Sequence, residues 1–400
     1  MKNEIYVGDN LATMYSNEFA KHKNSIQFIY IDPPYNTITN NFAYNDNNEK
    51  WSKDIKKRLI IAKEMLAPSG VIFISIDDNE LASLLNICYE VFGKSNYVGL
   101  FITKQAQRSN AKFINTVHEY IVAFAKNKKK LPRFYIKRLE NPSEAEQILA
   151  IIRKVKSTFK KSKESAKNEL KQLIDKYMIA TGETWIKNYS HIDDEGNIFF
   201  AKDLSTPGKP SRLDIEEINL HLEPLKTRGW SSKEKILKLH SEKRLFYKNG
   251  RPYEIHYLEE ATNNVPSILD FYSRQGTNDL NKLGLYNIFE TPKPVEMIKF
   301  LIRCTQHEDA TILDFYAGSG TTAQAVYEIN KEDNMSHRYI LIQLDEMINP
   351  KSPSYSVLKG LGYSKPRIDH VMIHRINTYL TLNDLPIDYI VKEKVYEWFI

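Results

Sequence analysis

Four consecutive residues, Asp32, Pro33, Pro34 and Tyr35, combine types and spacing that permit chemistry. They follow an apolar run, Ile26-Gln27-Phe28-Ile29-Tyr30-Ile31, whose pattern predicts a buried strand of a parallel sheet. A strand that stops there delivers a carboxylate, a rigid turn and an aromatic ring to its carboxyl end, where open α/β sheets place their ligands. Proline fixes φ and carries no N–H, so the turn leaves carbonyl oxygens without a local donor. Asp32 Oδ and the Pro33 carbonyl then stand as acceptors beside the π-face of Tyr35. An exocyclic amino group on a planar base needs that combination.

A second run lies far along the chain: Asp314-Phe315-Tyr316-Ala317-Gly318-Ser319-Gly320-Thr321-Thr322. It predicts a strand, a tight turn with two glycines, and a helix. Glycine accepts positive φ and lets backbone approach a ligand closely. A strand-end acid with a Gly-x-Gly turn suits a ligand carrying a cationic amino acid moiety and a nucleoside. The run is neither G-x-G-x-x-G nor G-x-x-x-x-G-K-[ST], so neither the dinucleotide fingerprint nor a P-loop is met. The next predicted strand, Tyr339 to Leu344, closes at Asp345-Glu346, where an acid holds a ribose in related sheets.

The elements that must position these residues alternate. Glu4 to Leu11 reads as a short strand and a turn, and Leu11 to Phe19 as a short helix. Trp51 to Leu66 has helical spacing at Ile55, Leu59, Ile60 and Met65, ended by Pro68-Ser69-Gly70. Val71 to Ile76 is a second buried strand, Glu80 to Phe92 a helix, and Val98 to Thr103 and Tyr120 to Ala125 further strands. Strand–helix alternation of this kind predicts a doubly wound parallel pattern. The Asn-rich stretch 42–51 reads as a loop whose Phe42, Tyr44 and Trp51 either close over a base or simply pack.

At Lys126 the alternation stops. Ile148, Ile151, Ile152, Val155 and Phe159, then Leu170, Leu173, Ile174 and Tyr177, are helically spaced with lysines opposite. Residues 181–285 read as short strands and turns, with a hairpin signal at Asn249-Gly250. Alternation resumes at Phe289, with a helix over Pro294 to Arg303 and another around Arg367 to Leu380. The predicted organisation is therefore a catalytic half at 1–130, a separate module at 131–285, a cofactor-binding half at 286–348 and an extension at 349–400.

The charge is as uneven as the patterning. Lys126 to Lys171 holds fifteen Lys/Arg against five Asp/Glu, a net of +10, in a chain whose total is +6. That concentration suggests a polyanion at this segment, a solvated helix face being the plainer reading. No stretch approaches the ~18–20 apolar residues of a membrane span, and the N-terminus lacks a signal peptide's apolar run. Cys88 and Cys304 lie in apolar segments and read as buried thiols, and no Cys/His cluster has zinc spacing. The expectation is a cytoplasmic protein without a structural metal.

Asp32-Pro33-Pro34-Tyr35, continued by Asn36-Thr37, resembles the catalytic motif of DNA amino-methyltransferases, in the form common in adenine-N6 enzymes. Asp314 to Gly320 resembles the S-adenosylmethionine motif of the same enzymes. Further matches are Gly8-Asp9-Asn10-Leu11, Ser75 to Glu80, His118-Glu119-Tyr120 and Thr291-Pro292-Lys293-Pro294; Arg228-Gly229-Trp230 and Gln275-Gly276-Thr277 are family-like in the centre. The order of catalytic motif, central module and cofactor motif resembles the β group, and within it the modification subunits of type III restriction–modification systems. Gln343 departs from the pattern, because many relatives carry the acid there.

The resemblance implies a Rossmann-like, doubly wound, mostly parallel methyltransferase sheet with permuted motif order and an inserted target-recognition module. It implies methyl transfer from S-adenosylmethionine to adenine N6 of double-stranded DNA, with base flipping and no metal. Asp32, Pro33, Pro34 and Tyr35 would be catalytic. Asp9, Lys293, Asp314, Phe315, Ala317, Gly318, Ser319, Gly320, Thr321, Thr322 and Asp345 would hold the cofactor, with Glu346 the alternative to Asp345. A restriction subunit and a second copy of the chain are the protein partners it leaves open. Competing readings are cytosine-N4 methylation, an RNA or protein-glutamine methyltransferase, and a catalytically silent DNA-binding subunit.

Overall fold

The computed structural model describes residues 2–36, 50–104, 113–140 and 142–393. The described chain divides into two compact units, one formed by Met1–Phe134 with Val265–Ile400 and the other by Tyr135–Asn264. The boundary differs from the expected 131–285. Ile268–Leu269 pairs in parallel with Tyr97–Lys104, so residues 265–285 belong to the first unit. The stretch 349–393 also joins that unit, because Tyr389–Glu393 adds a parallel strand beside Asn3–Val7.

The first unit is built on a nine-stranded sheet. Its strands are β1 (Asn3–Val7), β2 (Ile26–Ile31), β3 (Leu66–Ile76), β4 (Tyr97–Lys104), β5 (His118–Ala125), β6 (Ile268–Leu269), β7 (Thr311–Asp314), β8 (Arg338–Gln343) and β9 (Tyr389–Glu393). Their spatial order is β6-β4-β5-β3-β2-β7-β8-β1-β9. All share one direction except β5, which runs antiparallel to both neighbours. The chain leaves β2 toward β3 on one side and β7 toward β8 on the other, so the β2–β7 pair is the switch point where such sheets open a crevice.

Helices cover both faces of this sheet: α1 (Asn10–Tyr15), α2 (Trp51–Met65), α3 (Leu81–Phe92), α4 (Ser273–Lys282), α5 (Val295–Cys304), α6 (Thr321–Asp333), α7 (Pro353–Gly360) and α8 (Ile368–Leu382). Alternate strand residues feed two cores, as the two-residue period of a strand requires. Phe28, Tyr30, Phe73, Ile312 and Leu341 pack with α5, α6 and α8. Ile29, Ile31, Ile72, Ile74 and Leu313 pack with α2 and α3. Burying each such side chain stabilises the fold by about 1.5–3 kcal/mol. Strands with two covered faces read as unbroken apolar runs, which is why β2, β3 and β5 are legible in the sequence.

Two local expectations change. α1 covers Asn10–Tyr15, and a separate 3₁₀ turn occupies Phe19–His22. β3 begins at Leu66 instead of Val71, because Leu66 pairs with Ile26 before an irregularity in the β2–β3 register. Cys88 and Cys304 are both buried.

The second unit has a helical hairpin, Pro142–Phe159 and Lys163–Thr181. Ile148, Ile152 and Val155 meet Leu170, Ile174 and Tyr177 in its core. The Ser162 hydroxyl caps the second helix by accepting the Ser165 N–H at 3.2 Å. The apolar faces predicted from the sequence are the buried ones, and Arg153, Lys154, Lys160, Lys161, Lys167 and Lys171 are exposed. A four-stranded antiparallel sheet follows, in the order Leu245–Lys248, Arg251–Tyr257, Ile198–Asp203, His191–Ile192. Its hairpin turns at Asn249 and Gly250, both at positive φ (51° and 71°), the backbone that a two-residue type I′ turn demands. Among the described residues no helix is long and apolar enough to cross a membrane.

Candidate active site

β2 ends at Asp32 and β7 at Asp314, side by side at the carboxyl edge of the sheet. β5 arrives at the same edge from the opposite direction, so its first residues, His118 and Glu119, lie beside the carboxyl end of β3. The segment before α5 contributes Lys293. The end of β2, the start of β5 and the segment before α5 assemble one ionic cluster. Lys293 Nζ donates to Tyr35 Oη at 2.6 Å and to Glu119 Oε2 at 2.7 Å, and lies 3.2 Å from Asp32 Oδ1. The Tyr35 hydroxyl reaches Asp32 Oδ1 at 2.8 Å and Glu119 Oε2 at 3.2 Å.

The cluster is largely removed from water. Burial pushes the Asp32 carboxyl above its ordinary value; the Lys293 charge pulls against this and the Glu119 charge adds to it. Burial alone would discharge Lys293, but Asp32 and Glu119 overcome that and hold its ammonium well above the lysine range. Burial, reinforced by Asp32 and Glu119, likewise keeps the Tyr35 phenol protonated. The cluster therefore carries a cation between two carboxylates, with Asp32 Oδ1 engaged by Lys293 and Tyr35.

A cavity of about 280 Å³ runs from this cluster to the glycine turn. Asp32, Pro34, Lys293 and Tyr30 wall one part, and Asp314 to Ser319 with Thr321 and Thr322 another. The turn is held open by Gly318 and Gly320 at φ 53° and 79°, values that cost a side-chain-bearing residue energy. Gln343 Oε1 accepts the Gly318 N–H at 2.7 Å. Gln343 thus ties down the turn. Asp314 accepts from the Thr322 hydroxyl at 2.6 Å and the Tyr316 N–H at 3.1 Å. Burial nevertheless raises its carboxyl to about 7.

The residues anticipated from the sequence mostly converge here. Pro34 is among the residues that line the cavity, and Pro33 and Tyr35 flank it in the chain. Asp9 lines it and also caps α1, accepting the Ala12 N–H at 2.8 Å and pairing with Arg58 at 3.1 Å. Lys293 belongs to the Asp32 cluster more than to the cofactor wall. Phe315, Ala317, Gly318, Ser319, Thr321 and Thr322 are all wall residues, but Gly320 and Asp345 are not. Of the two acids after β8, Glu346 lines the cavity and Asp345 does not. Trp51 is buried, donating Nε1–H to the Pro34 carbonyl at 2.7 Å, so it braces the motif as part of the packed wall. Thr37, Phe42 and Tyr44 lie outside the described residues.

Four residues gain roles that the sequence did not assign. Glu119 was visible within His118-Glu119-Tyr120, but its role depends on the reversal of β5. Asn10 Nδ2 donates to the Phe315 carbonyl at 2.7 Å and its Oδ1 accepts from Arg58 Nε at 2.6 Å. Arg58 gave no local signal. Arg375 gave one, a charged residue four positions after Val371 on the apolar stripe of α8.

Residues 26–349 match the N6/N4 methyltransferase family, described as DNA methylase. The type III restriction–modification enzyme EcoPI Mod subunit of Escherichia phage P1 is 30% identical over 431 residues, covering 92% of this chain and 62% of that protein. The EcoP15I Mod subunit of Escherichia coli is 28% identical over 395 residues, covering 86% and 59%. The type II methyltransferase M.KpnI of Klebsiella pneumoniae is 27% identical over 394 residues, covering 93% and 86%. The chain thus spans about six-tenths of the length of the two Mod subunits. With four-fifths of its length matched and both motifs at one cavity, the chain belongs to the N6/N4 DNA methylase family.

Proposed function

We propose that this chain transfers a methyl group from S-adenosylmethionine to N6 of adenine in double-stranded DNA, as the modification component of a restriction–modification system. The observation that carries the reading is the single cavity shared by Asp32 and the Gly318 turn. The residues fit the donor. Asp314 is a buried carboxyl with no cation at salt-bridge distance among the described residues, and suits an α-ammonium. Glu346 sits where ribose hydroxyls need an acceptor, and the glycine turn admits close backbone approach. When bound, S-adenosylmethionine supplies an electrophilic methyl group on a sulfonium centre.

The chain's own residues act on the amine. The N6 lone pair is delocalised into the adenine ring, so the nitrogen must be made pyramidal to become nucleophilic. Lys293 and Tyr35 engage Asp32 Oδ1, which orients Oδ2 and the Pro33 carbonyl to accept the two amino hydrogens. A base inside a duplex is out of reach, so it is flipped out at a cost of a few kcal/mol, and positioning then supplies much of the rate.

The unit at Tyr135–Asn264 is assigned to target recognition, its exposed lysines to phosphate contacts that give salt-dependent affinity. The names of two relatives, Mod subunits of type III enzymes, support a restriction subunit as partner.

The test is long-read sequencing for modified bases in DNA from cells expressing the chain, beside an Asp32→Ala control. N6-methyladenine at one short motif, absent from the control, supports the reading. N4-methylcytosine moves the reaction to the other amine. No modified base, with S-adenosylmethionine still bound by the purified chain, makes this a cofactor-binding subunit and refutes the catalytic assignment.

A further inference from the structure

Arg375 is fully buried, the largest completely buried side chain among the described residues. It comes from α8, beyond the residues that match the family. A buried guanidinium is normally matched by a carboxylate, yet here no carboxylate hydrogen-bonds it among the described residues. Its Nη1 donates to Ser319 Oγ at 2.8 Å and Thr321 Oγ1 at 2.7 Å. Its Nε and Nη2 both donate to Gln324 Oε1, at 3.1 and 2.9 Å. Asp279 and Glu328 act on it only through space. α8 also closes on the turn sterically, since a Cβ on Gly320 would stand 3.0 Å from Met372 Cγ.

The donor–acceptor arithmetic then constrains two wall residues. A hydroxyl has one hydrogen and two lone pairs. Ser319 and Thr321 each accept from Arg375, so each keeps its own hydrogen to give. The two hydroxyl oxygens are 3.4 Å apart, and whichever donates to the other, at least one O–H is left for the cavity that both residues line. Behind that O–H sits a positive charge shared by neutral oxygens alone. Burial lowers the guanidinium to about 10, which leaves it charged at neutral pH. The opposite polarity lies at Asp314, whose carboxyl burial raises to about 7 and a cation would lower. A ligand with both an ammonium and a carboxylate would be read in one orientation by this pair of ends.

We propose that Arg375 is a positioning residue of the cofactor site: through Ser319 and Thr321 it makes the turn a carboxylate-selective wall for the amino acid end of the cofactor. The proposal rests on the methyl-donor reading above and extends the site to a helix outside the family match. It predicts that the chain senses the cofactor's carboxylate through a residue that does not touch it.

The experiment is calorimetric titration of the full chain with S-adenosylmethionine and, separately, with its decarboxylated analogue. In Arg375→Met the expected result is a loss of roughly tenfold or more in affinity for S-adenosylmethionine, the scale of one charge-assisted hydrogen bond. Affinity for the decarboxylated analogue stays within about twofold, and Arg375→Lys keeps most of the discrimination. Should Arg375→Met not fold, the double variant Ser319→Ala/Thr321→Val removes the hydroxyls and leaves the charge in place; it is expected to lose the same discrimination. Equal weakening for both ligands, or none for either, in the folded variant overturns the proposal. Binding of neither ligand by the unaltered chain overturns the methyl-donor reading itself, and this inference with it.

Discussion

Lys293 Nζ lies 3.2 Å from Asp32 Oδ1, though the two residues fall on opposite sides of the inserted unit in sequence. The contact gives the acceptor carboxylate a resident cation. Both side chains are mostly buried, 16% and 27% exposed, so screening by water is limited. Without the cation, burial and the Glu119 charge would drive Asp32 toward its protonated form, a poorer acceptor for the amino hydrogen assigned to Oδ2.

Lys293→Met should therefore lower single-turnover methylation at pH 7.5 by roughly ten- to a hundredfold, the worth of a charge-assisted hydrogen bond of ~1.5–3 kcal/mol. The sign of the pH effect is fixed. Asp32 is active as the carboxylate and its value rises when the cation goes, so the acid limb of the rate profile moves to higher pH. Lys293→Arg should restore the limb. A profile that drops uniformly at all pH values would show that Lys293 only shapes the site.

Asp314 supplies a second pH dependence, opposite in origin. Its carboxyl sits at about 7 in the folded chain against an ordinary 3.8, because burial disfavours its charge. At low pH both states are protonated and no penalty exists. As pH rises, the unfolded chain ionises first, so stability falls across the interval from about 4 to 7 and levels off above it, a span worth roughly 2–4 kcal/mol. Asp314→Asn should flatten that part of the curve in denaturant titrations at pH 5 and 8.5. A cationic ligand end reverses the burial penalty, so binding of S-adenosylmethionine at pH 6 should release about half a proton or more. Calorimetry in buffers of different ionisation enthalpy reads this, and Asp314→Asn should release none.

The contrast between these two acids shows what the sequence could carry. Both were legible as strand-end residues, since doubly covered strands are continuous apolar runs and the residue that breaks the run is conspicuous. What surrounds each was not. Glu119 joins Asp32 only because β5 runs backwards, and an apolar run has no direction written in it. Glu346 rather than Asp345 lines the cavity, and two adjacent acids after a strand do not declare which one will. Residues 265–285 looked like part of the central module because the paired part of β6 is two residues long, too short for any periodicity to register. Arg375 is the legible exception, a charge on an apolar stripe.

Lys299 offers a test of the scaffold apart from the site. It is 3% exposed on α5 and donates to Glu296, Glu328 and Glu332 at 2.6, 3.1 and 2.7 Å. Burial opposes its charge, but the three carboxylates hold its ammonium above the ordinary lysine value. That stabilisation is complete at neutral pH and is lost only as pH climbs through the raised value. On the acid side it fades as Glu332 protonates, below the ordinary glutamate range because Lys299 and Arg303 hold its value down against burial. Lys299→Met leaves three acids facing one another. The expected loss is about 1–2 kcal/mol at pH 7, discounted because two of the acids are substantially exposed. It should shrink at pH 4 and in high salt, with affinity for S-adenosylmethionine unchanged.

Gly276 links the packing of α4 to the cluster at Asp32. It is buried in α4, and a Cβ there would overlap the carbonyl oxygen of Pro292 and crowd the backbone carbon of Lys293. The helix and the Thr291–Pro294 segment are in backbone contact, and Asp279, on the same helix, accepts the Val295 N–H at 3.0 Å. α4 thus sets the position from which Lys293 reaches Asp32, Tyr35 and Glu119. Gly276→Ala must move either the helix or the lysine. The cost of overpacking is about 1–3 kcal/mol, and part of it should appear as misplacement instead of unfolding. The expected signature is a thermal midpoint lowered by a few degrees, together with a methylation defect that resembles Lys293→Met in its shifted acid limb. Combining Gly276→Ala with Lys293→Met should then cost little more activity than either alone, because both remove the same contact. Strictly additive losses would place the effect of Gly276 elsewhere in the fold.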